Sequence, residues 1–200
     1  MTSRKKKLLL FALLVVLFLF STNTKLQVEQ IEVRFKNLPA SMDGFKIVQI
    51  SDLHLPKNVC DVEEVLRIVS EQAPDIIVLT GDMLNYTADI PKTEYKSFCE
   101  RITKIADVYA IAGNHERWHE DEWRRILKES GGHIVSGSSV DIKEITLAGV
   151  HDGWHFDKKG DGFTILLSNW PNNKNADLIF SGHAHGGVFR IPFVGGIYAP

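Results

Sequence analysis

Seven residues able to bind a metal ion or move a proton fall together in four short motifs of this chain. Asp52 and His54 lie in ISDLHL, Asp82 in LTGD, Asn114 and His115 in AGNHE, and His183 and His185 in SGHAHGG. Carboxylate oxygen, amide oxygen and imidazole nitrogen, with no thiolate among them, form a donor set suited to Mn, Zn, Fe or a similar divalent ion. Imidazole also exchanges protons near neutral pH, so a histidine here can serve as acid or base instead of ligand. Taken singly the motifs are weak, because D-x-H is usually a polar turn and Gly-Asp or Gly-Asn pairs usually mark bends. Their common placement carries more.

Each motif closes a short run rich in Ile, Val and Leu. FKIVQISD, DIIVLTGD, DVYAIAGNHE, FTILLSN and ADLIFSGHAH read as buried strands with polar residues at their C-terminal ends. Helical patterns separate the first three: Val62, Val65, Leu66 and Val69 recur at i, i+3, i+4 and i+7, and Phe98, Ile102 and Ile105 follow Pro91. HEDEWRRILKES, with Trp123, Ile126 and Leu127 on one side, predicts a further helix stopped at Gly131-Gly132. Strands alternating with helices predict crossover connections, hence an α/β domain in which loops beyond the strand C-termini converge on one crevice. HIVSG and EITLAGV predict short strands of a second sheet, and LQVEQIEVRF an edge strand before Pro39. Asp and His two apart share one side of an extended chain, so Asp52 with His54, and His183 with His185, can serve one centre. Tyr86, Trp118 and Trp154 are expected as core or rim aromatics, not as substrate platforms.

Composition bounds the rest. Two hundred residues, 44% hydrophobic and 24% charged, describe about one globular domain, and a formal net charge of -2 offers no general attraction for nucleic acid. Two cysteines, Cys60 and Cys99, make no disulfide framework, and neither is assigned a function. The N-terminus departs from the average: Arg4 to Lys7 precede an apolar run from Leu8 to Phe20. That run spans only ~20 Å against a ~30 Å hydrocarbon core, as in a signal peptide, but STNTK lacks a small-x-small cleavage site. Residues 1–25 are therefore expected to be an uncleaved signal anchor, with a signal peptide as the alternative, and residues 26–200 the functional domain. The basic cluster would stay in the cytoplasm, which places the domain outside it.

D-x-H, G-D, G-N-H-E and G-H-A-H, in that order over residues 26–200, resemble the calcineurin-like metallophosphoesterase superfamily. ISDLHL and SGHAHGG are similar to its bacterial membrane-associated branch, which includes enzymes like the UDP-2,3-diacylglucosamine pyrophosphatase. The resemblance implies a four-layer αββα sandwich, two mixed sheets flanked by helices, that holds two divalent metal ions. By motif position, Asp52, His54 and His185 would bind one ion, Asp82 would bridge both, and Asn114 and His183 would bind the second. His115 would orient or protonate the departing oxygen, beside Glu116, whose role the motif does not define. The family's block L-S-H-x-P reads LLSNWP here, so Asn169 stands in place of a histidine ligand. Its amide oxygen is a weaker donor to borderline metals than imidazole, and occupancy of the second position is expected to fall. His151 and His155, in VHDGWHFD, are alternative donors. The chain ends in GGIYAP where relatives continue with further strands, which implies either a fragment or a second sheet closed with fewer strands.

The expected activity is hydrolysis of a phosphomonoester or phosphodiester, including pyrophosphate or lipid-linked forms, by a water held between two cations. A catalytically impaired descendant that binds a phosphorylated ligand or lipid through one remaining metal is the alternative. A structural membrane protein with coincidental polar strand ends is the third reading, and failure to bind any divalent ion would favour it.

Overall fold

A computed structural model of the chain describes residues 3–23, 26, 28–56, 61–90, 94–151, 154–158, 160–171, 175–185, 189–191 and 195–198. These fall into two units. Ile31–His183 is one; Met1–Gln30 with Ala184–Pro200 is the other.

Within Ile31–His183 two four-stranded sheets form. The first contains β1 (Ile47–Ile50), β2 (Ile76–Leu79), β3 (Asp107–Ala110) and β4 (His133–Ile134), adjacent in that order and all parallel. The crossovers carry α2 (Val62–Gln72), α3 (Tyr95–Ile102) and α4 (Glu120–Glu129), numbered after the N-terminal helix α1 (Ser3–Asn23). The second contains β5 (Ser138–Ile142), β6 (Ile145–Gly149), β7 (Thr164–Ser168) and β8 (Leu178–Ser181), with β5 antiparallel and the others parallel.

Period-two alternation sorts the strand residues into two layers. Ile76, Val78, Tyr109 and Ile111 of the first sheet's segments join Ile145, Leu147, Ile165 and Leu167 of the second in one buried cluster. The sheets therefore pack face to face, and each such Val, Leu or Ile contributes about 1.5–3 kcal/mol through burial. The alternate residues Ile77, Leu79, Val108 and Ala110 are fully buried on the opposite face of the first sheet. The helices bury the stripes that the spacing predicted: Val62, Val65, Leu66 and Val69 on α2, Phe98 and Ile102 on α3, and Trp123, Ile126 and Leu127 on α4. Ser130 and a left-handed Gly131 end α4 where the Gly-Gly pair predicted.

Four expectations change. HIVSG forms β4 of the first sheet, parallel to β3, and not a strand of the second. The first sheet is purely parallel, and among the described residues of Ile31–His183 no α-helix follows α4, so a helical fourth layer is not formed there. Residues 150–163 and 169–177 connect parallel neighbours over short spans, and the outer face of the second sheet (Ala148, Val150, Leu166) is covered instead by Phe156 and Ala176. The described residues of LQVEQIEVRF form no edge strand: Val28, Ile31 and Val33 stay exposed, and it is Phe35, edge-on to Phe163 at 5.0 Å, that reaches the core. Finally, α1 is helical over Ser3–Asn23, but among the described residues no helix is long and apolar enough to cross a membrane. The thirteen-residue apolar run is too short for the expected transmembrane anchor. The unit containing α1 also holds an antiparallel pair, β9 (Phe189–Ile191) with β10 (Gly195–Tyr198).

Asp177 ties the start of β7 to its surroundings. Its carboxylate accepts from Thr164 N at 2.8 Å and Asn37 Nδ2 at 2.9 Å, and pairs with Lys158 Nζ at 2.7 Å. Although desolvation works to raise it, the Lys158 ammonium and these N–H donors hold the Asp177 pKa down from 3.8 to about 2. A folded pKa below the unfolded one adds stability above pH 4 that is lost as pH falls toward 2. With the side chain only 16% exposed, Asp177→Asn should lose on the order of 2 kcal/mol at pH 7. Urea unfolding should show the gap between variant and parent closing from pH 4 to pH 2; a gap independent of pH would mean that the charge is not its source.

Candidate active site

The C-terminal ends of β1 and β2 run on side by side. Asp52 N donates to Gly81 O at 3.1 Å, His54 N to Asp82 O at 3.0 Å, and Leu55 N to Met83 O at 2.9 Å. Asp52 and His54 do share a side, their ligand atoms within 4.8 Å of one another. They reach it by a different route from the extended chain expected: both have left-handed backbone, φ 58° and 48°. Asp82, His183 and His185 are left-handed too, at 55°, 66° and 50°. Seven non-glycine residues have positive φ among the described residues, and five belong to the sequence-derived site. Such conformations are unfavourable for residues bearing a Cβ and persist where surrounding contacts hold them, commonly at functional sites.

His54, Asp82 and His115 offer donor atoms that all lie within 4.8 Å of one another, a group able to hold a metal ion. Asp82 is buried, and its Oδ1 accepts from His115 N at 3.0 Å. Asp52 Oδ1 accepts from His183 N at 3.0 Å, and His183 Nδ1 lies 3.1 Å from Asn114 Oδ1 and 3.8 Å from Asp82 Oδ2. Six of the seven principal candidates, Asp52, His54, Asp82, Asn114, His115 and His183, thus meet at the strand ends of Ile31–His183. His185 follows two residues later and belongs to the other unit.

His115 is oriented by its neighbours. Tyr86 N donates to its Nδ1 at 3.2 Å, so the neutral ring carries its proton on Nε2. The ring also lies edge-on to His54, centroids 4.4 Å apart.

Glu116, undefined by the sequence reading, has a distinct task. It is fully buried, and its carboxylate accepts from Asp82 N and Gly113 N at 2.8 Å and from Leu84 N at 2.9 Å. One side chain thereby ties the loops that follow β2 and β3. Burial raises its carboxyl to about 7, with the Asp82 charge adding to the rise and the three N–H donors opposing it. Gln49 was likewise missed: its amide donates to Thr80 Oγ1 and Ser181 O, both at 2.8 Å, linking the first sheet to the end of β8.

Asn169 is buried at the end of β7. Its Nδ2 donates to Thr80 O at 2.9 Å, its carbonyl accepts from Gly182 N at 3.1 Å, and its Oδ1 has no hydrogen-bond partner among the described residues. Gly113 leaves room for this approach: a Cβ there would lie 2.3 Å from Asp82 Oδ1 and 2.8 Å from Asn169 Nδ2. Trp170 stacks on His183, centroids 4.0 Å apart. His151, an alternative donor, packs against Gly137 and Trp154, and His155 is exposed; neither joins a metal-capable group among the described residues. Tyr86, Trp118 and Trp154 are exposed, so none of them is a core aromatic. Cys99 is a buried free thiol pushed up to about 12 by burial, a small apolar filler without nucleophilic character. Cys60 lies outside the described residues.

Comparison with known proteins shows the family. The model of the calcineurin-like phosphoesterase family matches residues 45–187, and the chain belongs to that family of phosphoester hydrolases. It is 29% identical to the uncharacterized metallophosphoesterase YkoQ of Bacillus subtilis over 92% of this chain and 78% of that protein. It is 26% identical to the phosphodiesterase YaeI of Escherichia coli over 78% of this chain and 66% of the relative. A transmembrane protein with metallophosphoesterase domain from Bos taurus is 28% identical over 86% of this chain, which spans 49% of that protein's length.

Proposed function

We propose that this protein hydrolyses phosphodiester or phosphomonoester bonds at a site for two divalent ions. The observation that carries the reading is Asp82, grouped with His54 within 4.8 Å and with His183 Nδ1 3.8 Å from its Oδ2, while that same nitrogen lies 3.1 Å from Asn114 Oδ1, at the ends of sequence-distant segments. Asp52, His54 and His185 would hold one ion, Asp82 both, and Asn114 and His183 the second; Mn, Zn and Fe all suit these donors. When bound, two such ions neutralise the anionic phosphoryl oxygens and lower the pKa of a water that attacks phosphorus.

The chain's own residues supply the rest. Asp82, held by the Glu116 bridge and by His115 N, keeps a charged oxygen in a buried position. His115, with Nδ1 engaged by Tyr86 N, presents an Nε2–H donor that would bind an oxygen gaining charge as the ester breaks. No serine or cysteine nucleophile is required.

The substrate reading is coarser. The α1 side chains from Leu8 to Phe18 remain exposed and follow a basic cluster, which supports a membrane-facing N-terminus and a phosphoester substrate from lipid or envelope chemistry. A nucleotide-linked lipid precursor is the substrate class that the sequence resemblance implies. A phospho-ligand-binding role without turnover is the second reading, favoured by Asn169 where the family has histidine.

The test is hydrolysis of bis-p-nitrophenyl phosphate by the purified chain with and without Mn2+. Metal-dependent release of nitrophenol is expected. Tight Mn2+ binding without turnover would favour the binding role, and no divalent-ion binding would sink both readings.

A further inference from the structure

We infer that Asn169 is a working oxygen ligand of the second ion, and that it biases that position toward oxygen-preferring ions such as Mn2+ and away from Zn2+. The inference rests on the two-metal reading above.

Asn169 is 1% exposed. A buried amide of this kind normally satisfies both ends, and an unpartnered buried acceptor bears the full cost of its lost hydration. Here the nitrogen end is fixed. Thr80 O can only accept, so the group facing it at 2.9 Å must be the Nδ2 donor, and Oδ1 must face away. That oxygen meets no donor among the described residues. A cation satisfies an orphaned carbonyl oxygen without requiring a hydrogen, which is the chemistry an acceptor-only atom needs.

Three neighbours place the amide beside the second ion's expected ligands. Nδ2 of Asn169 and Oδ1 of Asp82 both lie within 3 Å of one point, the position that a Cβ on Gly113 would occupy. The backbone carbonyl of Asn169 accepts from Gly182 N, immediately before His183. The next residue, Trp170, stacks on the His183 ring, whose Nδ1 lies 3.1 Å from Asn114 Oδ1. The set proposed for the second ion is then one carboxylate, two amide oxygens and one imidazole, with the Asn169 oxygen, unlike its fixed nitrogen, still free to take a cation. An imidazole in place of the Asn169 amide would make the set softer. Zn2+ binds most N and O sites more tightly than Mn2+, but replacing nitrogen by a neutral oxygen narrows that advantage.

The experiment is calorimetric titration of Mn2+ and of Zn2+ into the full chain, its Asn169→Ala and its Asn169→His variants, with electron paramagnetic resonance reading coupling between adjacent Mn2+ ions. The parent is expected to take two Mn2+ per chain. Asn169→Ala should weaken one of them by about tenfold or more, with loss of the coupled signal. Asn169→His should keep two ions but shift the Zn2+/Mn2+ affinity ratio at one of them by about tenfold toward Zn2+. If Asn169→Ala keeps both Mn2+ ions at native affinity, the inference falls while the two-metal reading stands. A parent that takes one ion, with Asn169→His taking two, also overturns it, since the asparagine would then be no ligand. If no protein takes any divalent ion, the metal-centre reading fails and the inference with it. Circular dichroism checks folding of the alanine variant. Should it fail to fold, Asn169→His decides alone, and an unchanged ratio overturns the inference.

Discussion

Asp82→Asn should cut Mn2+-dependent phosphodiester hydrolysis by at least about 1,000-fold, roughly 4 kcal/mol of transition-state stabilisation. The substitution is nearly isosteric. An asparagine oxygen can still accept from His115 N, and the backbone N–H of residue 82 can still donate to Glu116, so the local fold should persist. What disappears is one negative charge from a position that both ions are proposed to share. Metal analysis should find both ions weakened together, whereas loss of one ion alone would show that Asp82 does not bridge. Unchanged metal content with full activity would remove it from the site altogether.

His115→Ala should leave metal content intact and lower the rate by about 100-fold. The ring's Nδ1 accepts from Tyr86 N, so the tautomer that fits the neutral ring donates through Nε2. That state is suited to donating a hydrogen bond to a developing negative charge more than to delivering a proton outright. His115→Gln, which keeps an N–H donor at similar reach, should therefore recover part of the lost rate. A glutamine variant as slow as alanine would point to proton transfer instead. Loss of bound metal from His115→Ala would make His115 a ligand, which its grouping with His54 and Asp82 permits geometrically.

The parts of the fold that alternate or recur were readable in the sequence. Val62, Val65, Leu66 and Val69 gave α2 because a helical stripe repeats locally, and IIVL gave β2 because a parallel strand buried on both faces is apolar throughout. The site residues were readable because chemistry restricts their types and the strand ends gather them. Features set by tertiary partners were not. Val28 to Phe35 alternate like a strand, but no neighbouring strand pairs with them among the described residues. Glu116 carried no pattern to reveal three backbone amides brought to it from two loops. The left-handed turns at Asp52 and His54 were equally hidden, since neither residue type announces a positive φ. Asn169 was noticed as a departure from a motif, yet its fixed nitrogen and unpartnered oxygen become visible only once Thr80 is beside it.

The left-handed residues have a consequence for adaptation under heat. Glycine adopts positive φ at less cost than aspartate or histidine, so at Asp52, His54, Asp82, His183 and His185, the candidate ligand positions, a sequence selected for thermal endurance alone would drift toward glycine. Each such change would relax the backbone and delete a functional group in the same step. Endurance and chemistry are thus opposed at the same five positions, and a laboratory lineage propagated without a demand for hydrolysis should lose its reactive side chains there before it loses its sheets.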